Sequence, residues 1–570
     1  MAEAKLTPFA KVLIALVILG ATAAAAWHLG VKDMFTGDGG DTTTTTTTDG
    51  EDGTTGTTGS GTSTSASGPL GSAGNPLKVS IVSFHGYAPA LLANGNSLTT
   101  QPNSIMANAG AHVEFVIQDD IPTLATIFES GAAHCAWRTS DFWAQEQPNL
   151  RNNSLDARAI MVVDNTQGAD AVIARDPSVR RIEDLVGKRV ALLQFTPSHG
   201  MIIDAVENSS LTARERTQID YVFINADEGT AGVRAAFAGG QVDAAVLWDP
   251  DLSLAVNAVD GAHVIYSTRI ATNLIYDVIV CDSRVLTDAN HATIQGFVQG
   301  WMEGVTAARA DHDRALQALT ATEPFFQQLA REEGESFVKG LFDNLVWTGL
   351  EDNVRILGLA GGTNHYERVY SRFDRIYRGL GALANPNAPV ITPAQSIDTS
   401  FISALMQAQP EVREEAQAPE FTFTEQERVA VQEEAPVVTR PVIVVFQSGS
   451  AELNRRAQQQ IDQEMVPMIE NHGSAYFTVS GNTDSTGTRA ANLRISRDRA
   501  TAVVDYLVSQ WNFPRERFNI VGNGPDQPLC DERNPPEGES LEDCQARNRT
   551  TRLAVLAREQ ADGTPAGQHP

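Results

Sequence analysis

The sequence predicts an α/β protein with a second, smaller unit of strands and helices toward its C-terminal end. Short β-rich runs alternate with helical patterns from about residue 77 to residue 383, which is typical of largely parallel sheets. A second series of strands and helices runs from about residue 441 to residue 558. A stretch near 37–75 with almost nothing apolar separates the first region from an apolar N-terminal run, and an acidic, proline-containing stretch near 407–438 separates the two regions from each other.

Length and charge narrow the class of protein further. A chain of 570 residues is too long for one hydrophobic core, so two or three domains are expected. Apolar residues make up 42% of the chain, which is enough for sizeable cores. The formal charge of −28 leaves Lys and Arg in deficit, and recognition of phosphate backbones needs clusters of them. The composition therefore argues against a nucleic-acid partner.

An apolar segment near the N-terminus predicts membrane targeting. Lys5 and Lys11 precede the uncharged run Val12–Trp27, which extends to Val31. About 20 helical residues span roughly 30 Å, the thickness of the hydrocarbon layer. The basic residues before the run favour a cytoplasmic N-terminus. A cleaved signal peptide is the alternative, because Ala23–Ala26 offers small-residue cleavage sites. Either way, the bulk of the chain is expected outside the cytoplasm.

The predicted units follow one another along the chain. They are an anchor or signal segment (1–33), a Gly/Thr-rich linker (34–75), an α/β domain (76–390), an acidic linker (391–440), a C-terminal domain (441–560) and a tail (561–570).

Four cysteines are present without a CxxC pair, so neither a zinc site nor a redox motif is predicted. Cys530 and Cys544 lie in a segment rich in Pro, Glu and Asn, where a disulfide would hold a loop, as suits an oxidising compartment. Whether Cys135 and Cys281 meet is left open. No phosphate-binding, dinucleotide or zinc-protease motif occurs, so no metal or cofactor is expected.

The C-terminal region places an acidic and a basic side chain near one strand–helix junction. A predicted strand ends at Ser480, a loop holds Asp484, and a helix that begins near Arg489 carries Arg499. A carboxylate beside a guanidinium suits a zwitterion, since the carboxylate takes an ammonium and the guanidinium takes a carboxylate. The alternative is that Asp484 caps the helix and Arg499 makes a surface salt bridge.

This region resembles the OmpA-like peptidoglycan-binding domain over roughly 115 residues. The matching segments are VVFQSGSAELN (444–454), GNTDSTG (481–487), ISRDRA (495–500), VGNG (521–524) and QARNRT (545–550). The resemblance implies that Asp484 and Arg499 hold the diaminopimelate of the stem peptide, with Thr483, Asn492 and Arg549 around them. Asn482 before the Thr-Asp pair and the neutral Thr550 depart from the family pattern.

In the middle region, the segment TPSHG (196–200) predicts an anion site. A strand ends near Phe195 and a helix begins soon after Pro197. Free backbone N–H groups and the positive end of the helix dipole attract anions there, and Thr196, Ser198 and His199 could add donors. The alternative is that Ser198 only caps the helix.

Further candidate residues follow predicted strands of the middle region. The C-terminal ends of strands are where open α/β sheets bind ligands. The candidates are Gly86 and Tyr87, Asp141 and Phe142, and Trp248 and Asp249. Each aromatic residue taken singly is more often part of a core.

Residues 76–383 resemble a periplasmic solute-binding protein of the type that serves ABC importers for sulfonates, nitrate and related molecules. The resemblance rests on FHGYAP (84–89), GADAVIAR (168–175), IEDLVGKRVAL (182–192), TPSHGM (196–201) and FAGGQVDAAVLWDPDLSLA (237–255). It implies two α/β lobes hinged about a cleft, a small solute as ligand and an ABC permease as partner. The C-terminal resemblance adds a smaller α+β domain and peptidoglycan as a second partner.

A catalytic role is not predicted. Ser198 and His199 are adjacent, a poor arrangement for a nucleophile and its base, and no GxSxG motif occurs. The expected function is an envelope protein on the periplasmic side that captures an anionic or zwitterionic solute and attaches to peptidoglycan. Such a protein is held at the inner membrane by the N-terminal helix, or is free in the periplasm if that helix is cleaved. The alternative is a wall-tethered sensor or a stator-like anchor without a transport role.

Overall fold

The computed structural model describes residues 68–417 and 436–556, apart from 121, 122, 125, 437, 445, 448, 474 and 537. The predicted membrane segment Val12–Trp27, the Gly/Thr-rich linker up to residue 67 and the tail from 557 lie outside the described residues. Within the described residues, no helix combines the length and the apolar character that a membrane span requires.

Fifteen strands form three sheets in the described part of the chain. The strands are β1 Leu77–Ile81, β2 Val113–Ile117, β3 Cys135–Thr139, β4 Ala157–Thr166, β5 Asp170–Ala174, β6 Arg189–Leu193, β7 Asp220–Ile224, β8 Ala244–Trp248, β9 His263–Ser267, β10 Tyr276–Asp282, β11 Leu345–Trp347, β12 Val438–Val442, β13 Tyr476–Asn482, β14 Phe518–Gly524 and β15 Thr551–Leu556.

Helices connect and cover these sheets. They are α1 Ala88–Ala93, α2 Ile105–Asn108, α3 Ser140–Asn152, α4 Pro197–Asn208, α5 Ala213–Arg216, α6 Gly229–Ala238, α7 Asp251–Ala258, α8 His291–Ala310, α9 His312–Thr322, α10 Pro324–Glu332, α11 Glu335–Gly340, α12 Leu350–Ile356, α13 His365–Gly379, α14 Pro393–Ser396, α15 Ser400–Ala408, α16 Glu411–Ala416, α17 Arg455–Gln460, α18 Val466–Asn471, α19 Arg489–Trp511 and α20 Leu541–Asn548. A π-helical turn, Ile461–Met465, joins α17 to α18.

The first two sheets repeat one plan. The first has the order β11-β4-β10-β3-β1-β2 and the second has the order β7-β6-β8-β5-β9. In each, three parallel strands stand beside a strand that runs antiparallel to them, β10 in the first sheet and β5 in the second. These are the two α/β lobes that the resemblance implies, but their sheets are mixed and not largely parallel as the alternation of strands and helices predicts.

The chain passes between the lobes twice. It leaves the first lobe from β4 into β5 and returns from β9 into β10. Strands β4 and β10 are antiparallel neighbours at the centre of the first sheet, and Asp164 of β4 lies opposite Asp277 of β10. Both connections therefore join the first lobe at neighbouring strands. The rest of the two surfaces that face each other is free to form a cleft.

The first lobe extends further along the chain than the sequence predicts. Residues 391–416 are expected to begin an acidic linker, yet α14, α15 and α16 lie there and pack on the first lobe. Phe401, Ile402 and Leu405 are buried in its core. These three side chains share one apolar face of α15, because they are spaced one and three residues apart. The neighbouring Glu residues and prolines make that face hard to recognise in the sequence. The part of the predicted linker between 418 and 435 lies outside the described residues.

The C-terminal domain is an α+β unit. Its sheet has the order β12-β15-β13-β14, and α19 crosses β13 and β14. Gly481 of β13 allows this close approach, because a Cβ atom there would lie 2.0 Å from the carbonyl oxygen of Ser496 on α19. Its first strand, β12, ends at Val442, one residue after the point where the sequence predicts this domain to begin.

The end of α18 docks on the second crossover segment, between β9 and β10. The Asn273 side chain donates to the Glu470 carbonyl at 2.7 Å, and its backbone N–H donates to the Asn471 carbonyl at 3.0 Å. Tyr266 and the buried His472 lie within 3.3 Å of each other through Oη and Nε2. Arg368 of α13 pairs with Glu470 at 3.4 Å and lies over the Trp511 ring. The C-terminal domain is thus in direct contact with the segment that connects the lobes.

Two disulfides are present. Cys530–Cys544 confirms the predicted loop staple and closes 14 residues. Cys135–Cys281 joins neighbouring strands β3 and β10 and closes 146 residues, a pairing that the sequence left open. The longer disulfide encloses the whole second lobe between two points of the first.

Removing the longer disulfide should destabilise the protein more than removing the shorter one. The paired change Cys135→Ala and Cys281→Ala is expected to lower the free energy of unfolding by roughly 2–5 kcal/mol, because a longer closed loop removes more entropy from the unfolded chain. Guanidinium unfolding followed by tryptophan fluorescence measures it. The matched control is Cys530→Ala with Cys544→Ala, and an equal or larger loss in the control would contradict the loop-length argument.

Candidate binding sites

A cavity of about 470 Å³ lies between the two lobes. The first lobe contributes residues that follow β1, β2 and β3, together with Phe325 of α10. The second lobe contributes the starts of α4, α6 and α7. Such a volume holds a small solute, and its walls come from the C-terminal ends of strands, where α/β sheets bind ligands.

Four aromatic side chains line the cavity: Trp137, Phe142, Trp248 and Phe325. Trp248 belongs to the second lobe and the others belong to the first. Phe325 is 41% exposed, although large apolar side chains are seldom left in water without a role. The aromatic surface therefore faces the cavity from both sides.

The position of Trp137 is held from behind by a buried carboxyl group. Its indole N–H donates to Asp277 at 2.6 Å, and Tyr87 donates to the same oxygen at 2.8 Å. Burial raises the pKa of Asp277 to about 7, against the lowering effect of these two hydrogen bonds. Burial, and then repulsion from Asp277, raise the pKa of the facing Asp164 well above its usual range. The two carboxyl groups are therefore not both ionised at neutral pH.

Carboxylates dominate the charge around the cavity. Its described lining contains Asp119, Asp120, Glu146, Asp227, Glu228 and Asp251, against the single guanidinium of Arg138. Arg138 is buried and is bonded to Glu146 and to the carbonyl of Leu124.

Three helices of the second lobe point their N-termini at the cavity. Asp251 lies in the first turn of α7, and Asp227 and Glu228 immediately precede α6. The first turn of α4 carries no acidic residue and has no side-chain cap, because the Thr196 hydroxyl donates to the Leu193 carbonyl instead. The start of α4 is thus where positive potential is least compensated.

Three of the predicted solute-binding residues line the cavity, namely Phe142, Thr196 and Trp248. The other six do not line it, and they are Gly86, Tyr87, Asp141, Ser198, His199 and Asp249.

Those six residues are buried in the lobes. A Cβ atom on Gly86 would lie 2.2 Å from a carboxylate oxygen of Asp164, so this glycine serves close packing. The Asp249 carboxylate accepts hydrogen bonds from Ser253 and Asn344, and burial raises its pKa to about 6. Burial likewise raises the pKa of Asp141 to about 6.

The predicted pair Ser198 and His199 also turns away from the cleft. Nδ1 of His199 accepts the backbone N–H of Phe195 at 3.2 Å, and its ring packs on Tyr221 and Phe223 of β7. Burial lowers the pKa of His199 to about 4, so the ring is neutral at physiological pH. Ser198 is buried on α4 and does not cap it.

Several cavity residues escaped the sequence analysis. Asp119 and Asp120 follow β2, the segment 226–231 follows β7, and Trp137 lies near the end of β3. All of these positions obey the strand-end rule that selected the other candidates. Phe325 does not, because it lies in a helical region distant in sequence from the lobes' strands.

In the C-terminal domain, Asp484 is ion-paired with Arg549 at 2.6 Å between Oδ2 and Nη1. Its other oxygen accepts the Thr486 backbone N–H at 3.0 Å. Asn492 donates to the carbonyls of Asp484 and Thr486, which holds this loop against α19. The buried Thr483 anchors the loop to β14 through its backbone N–H, which donates to the Gly524 carbonyl at 2.8 Å.

Arg499 is oriented by the loop after β12. Its guanidinium donates to the carbonyls of Ser450 at 3.1 Å and Gln447 at 3.3 Å, and it lies 5.0 Å from the centre of the Phe446 ring. Burial lowers the pKa of Arg499, and the charge of Asp484 acts to raise it. The charge of Asp484 thus acts on Arg499, but the two side chains are not bonded to each other. Asp484 is bonded to Arg549 instead.

The two-lobed α/β fold with a cleft between its lobes resembles that of periplasmic solute-binding proteins. In the C-terminal unit, residues 445–540 match the OmpA family.

Known proteins resemble the two parts separately. Outer membrane porin F of Pseudomonas aeruginosa is 33% identical over 97 residues, which is 17% of this chain and 27% of that protein. A putative aliphatic sulfonates-binding protein of Escherichia coli is 25% identical over 151 residues, 26% of this chain and 44% of that protein. The crystal structure of the periplasmic aliphatic sulphonate binding protein SsuA from Escherichia coli is 16% identical with a TM-score of 0.44, over 59% of this chain and 100% of that one. The chain thus spans less than half the length of these two curated relatives.

Replacing Arg549 should raise the pKa of Asp484. Burial raises that pKa, but the hydrogen bonds from Arg549 and Thr486 outweigh burial and hold it below its usual range. The ion pair therefore stabilises the loop above the ordinary carboxyl pKa and is lost as the pH falls through the lowered value. Arg549→Gln removes the principal lowering contact, so the carboxyl should protonate at higher pH in a carbon-detected NMR titration.

The matched control is Arg547→Gln, because Arg547 pairs with Glu539 at 3.0 Å instead. If the pKa of Asp484 is the same in both variants, then Arg549 is not bonded to the Asp484 carboxylate when the protein is in solution.

Proposed function

We propose that this protein is an envelope receptor on the periplasmic side that binds a small solute between its lobes and peptidoglycan through its C-terminal domain. The observation that carries the proposal is one chain that contains two candidate binding sites. One is a solute-sized cavity with aromatic walls, and the other is a carboxylate and a guanidinium held on neighbouring elements.

The peptidoglycan site would bind the diaminopimelate of a stem peptide. Asp484 would take its side-chain ammonium and Arg499 its carboxylate. Thr483, Asn492 and Arg549 would support them, since Arg549 bonds to the carboxylate and Asn492 fixes the loop. This binding mode costs free energy, because Asp484 and Arg549 must separate before an ammonium can enter.

The solute site would use Phe142, Thr196 and Trp248 from among the predicted residues. An acidic group of the solute would face the start of α4, where no side chain caps the helix and no acidic residue offsets the positive end of its dipole. An N-terminal membrane helix would hold the receptor at the inner membrane, and cleavage of that segment would leave it held by the wall. Docking to an ABC permease is the expected route for delivery of the solute.

Loss of either charge should weaken wall binding. Asp484→Asn and Arg499→Gln are each expected to reduce affinity for purified peptidoglycan about tenfold or more, the worth of one charge-assisted hydrogen bond. Co-sedimentation of the full chain measures it. Asp505→Asn is the control, since Asp505 lies on the same helix but pairs with the exposed Arg515. Unchanged binding in both test variants would contradict the assignment.

Solute binding should change the environment of Trp137 and Trp248. A panel of small anions, zwitterions, cations and neutral polar molecules should include compounds that shift the tryptophan emission and raise the melting temperature, because a ligand stabilises the state that binds it. Trp248→Phe should remove most of the emission change. The absence of a response to every charge class would contradict the solute-binding half of the proposal.

A further inference from the structure

The charge of the interlobe cavity restricts the solute class. Four of its carboxylates, those of Asp119, Asp120, Asp227 and Glu228, are exposed and make no ion pair with a described residue. Both lobes contribute to this set, since Asp119 and Asp120 follow β2 while Asp227 and Glu228 precede α6. Closing the lobes on an anion would bring these charges together with the anion's own charge.

Two of the first-lobe carboxylates are held in place by local hydrogen bonds. Asp119 accepts two hydrogen bonds from Ser83, one from the backbone N–H at 2.7 Å and one from the hydroxyl at 2.8 Å. Asp120 accepts the hydroxyl and the N–H of Thr123, and these bonds lower its pKa. Both carboxylates are therefore oriented beside the cavity by their neighbours in sequence or space.

The cations near the cavity are already engaged. Arg138 donates to Glu146 and to two backbone carbonyls, and it is 1% exposed. Arg234, behind the lining, pairs with Asp251 at 2.6 Å. An anionic group in the cavity would thus meet no uncommitted guanidinium or ammonium among the described lining residues.

The aromatic walls complete a surface for positive charge. The faces of Trp137, Phe142, Trp248 and Phe325 carry negative electrostatic potential, which attracts alkylated ammonium groups that aromatic cages recognise. Methyl groups on the nitrogen also suit aromatic surface, because they bury apolar area that a bare ammonium lacks. The exposed ring of Phe325 fits this role, since it lines the cavity.

We propose that the solute is a small organic cation or zwitterion whose alkylated ammonium lies among these aromatic rings and carboxylates. This inference rests on the proposed solute-binding function and names the solute class of that same cavity. An acid group on the far end of a zwitterion would face the start of α4. Purely anionic solutes are excluded from the class.

Choline and its uncharged carbon analogue 3,3-dimethylbutan-1-ol separate charge from shape. Isothermal titration of the full chain should show choline binding at least about tenfold more tightly than the analogue, since the charge is the only large difference. Ethanesulfonate is the anionic probe, and glycine betaine is the zwitterionic one. Choline affinity should fall in 0.5 M salt because exposed charges are screened.

Three variants locate the effect. Glu228→Gln should weaken choline binding by roughly three- to thirtyfold while leaving the analogue little changed, and Trp248→Leu should weaken both ligands, choline more strongly. Asp260→Asn is the control, because Asp260 is an exposed carboxylate of the second lobe that does not line the cavity. Equal effects of Glu228→Gln and Asp260→Asn would show only a change in net charge, which contradicts a specific site.

The outcomes separate this inference from the proposed function. Binding of ethanesulfonate without choline or betaine would overturn the ammonium assignment and would leave solute binding intact. Equal affinity for choline and its analogue would also overturn it, because the cavity would then be selecting shape alone. A lack of binding by all four probes would count against both.

Discussion

The pairing of β4 with β10 is the constraint on which the two-lobed part of the molecule depends. These neighbouring antiparallel strands carry both connections to the second lobe, and the disulfide Cys135–Cys281 ties β10 to β3 beside them. The same strands bury Asp164 and Asp277 side by side, and Asp277 accepts the indole N–H of Trp137. The strands that join the lobes therefore also orient a wall of the cleft.

Much of the fold follows from patterns in the sequence. Parallel strands covered on both faces appear as apolar runs, and the parallel neighbours β6 and β8 are such runs. The helix that carries Arg499 begins at Arg489 as predicted, because Thr488 caps it with its side chain. The three helices between 393 and 416 were missed, since acidic and proline residues around them obscure a short apolar face.

The sites were less predictable for a different reason. The strand-end rule identifies positions but not side-chain directions, so Phe142 and Trp248 line the cavity while Tyr87 and Asp249 point into the core. Direction alternates from one residue to the next in a strand and changes again in the turn after it. In the C-terminal domain, Asp484 lies close enough to Arg499 for its charge to act on the guanidinium. The bond from Arg549 to Asp484 could not be inferred, because it joins residues 65 positions apart.

The docking of α18 on the second crossover segment has a mechanical meaning. Residues 268–275 join the two lobes, and Asn273 within them is bonded twice to the end of α18. A rotation of one lobe against the other about this segment would therefore either carry α18 along or break those two bonds. The C-terminal domain is thus coupled mechanically to the joint between the lobes, and a force on either one would be transmitted to the other.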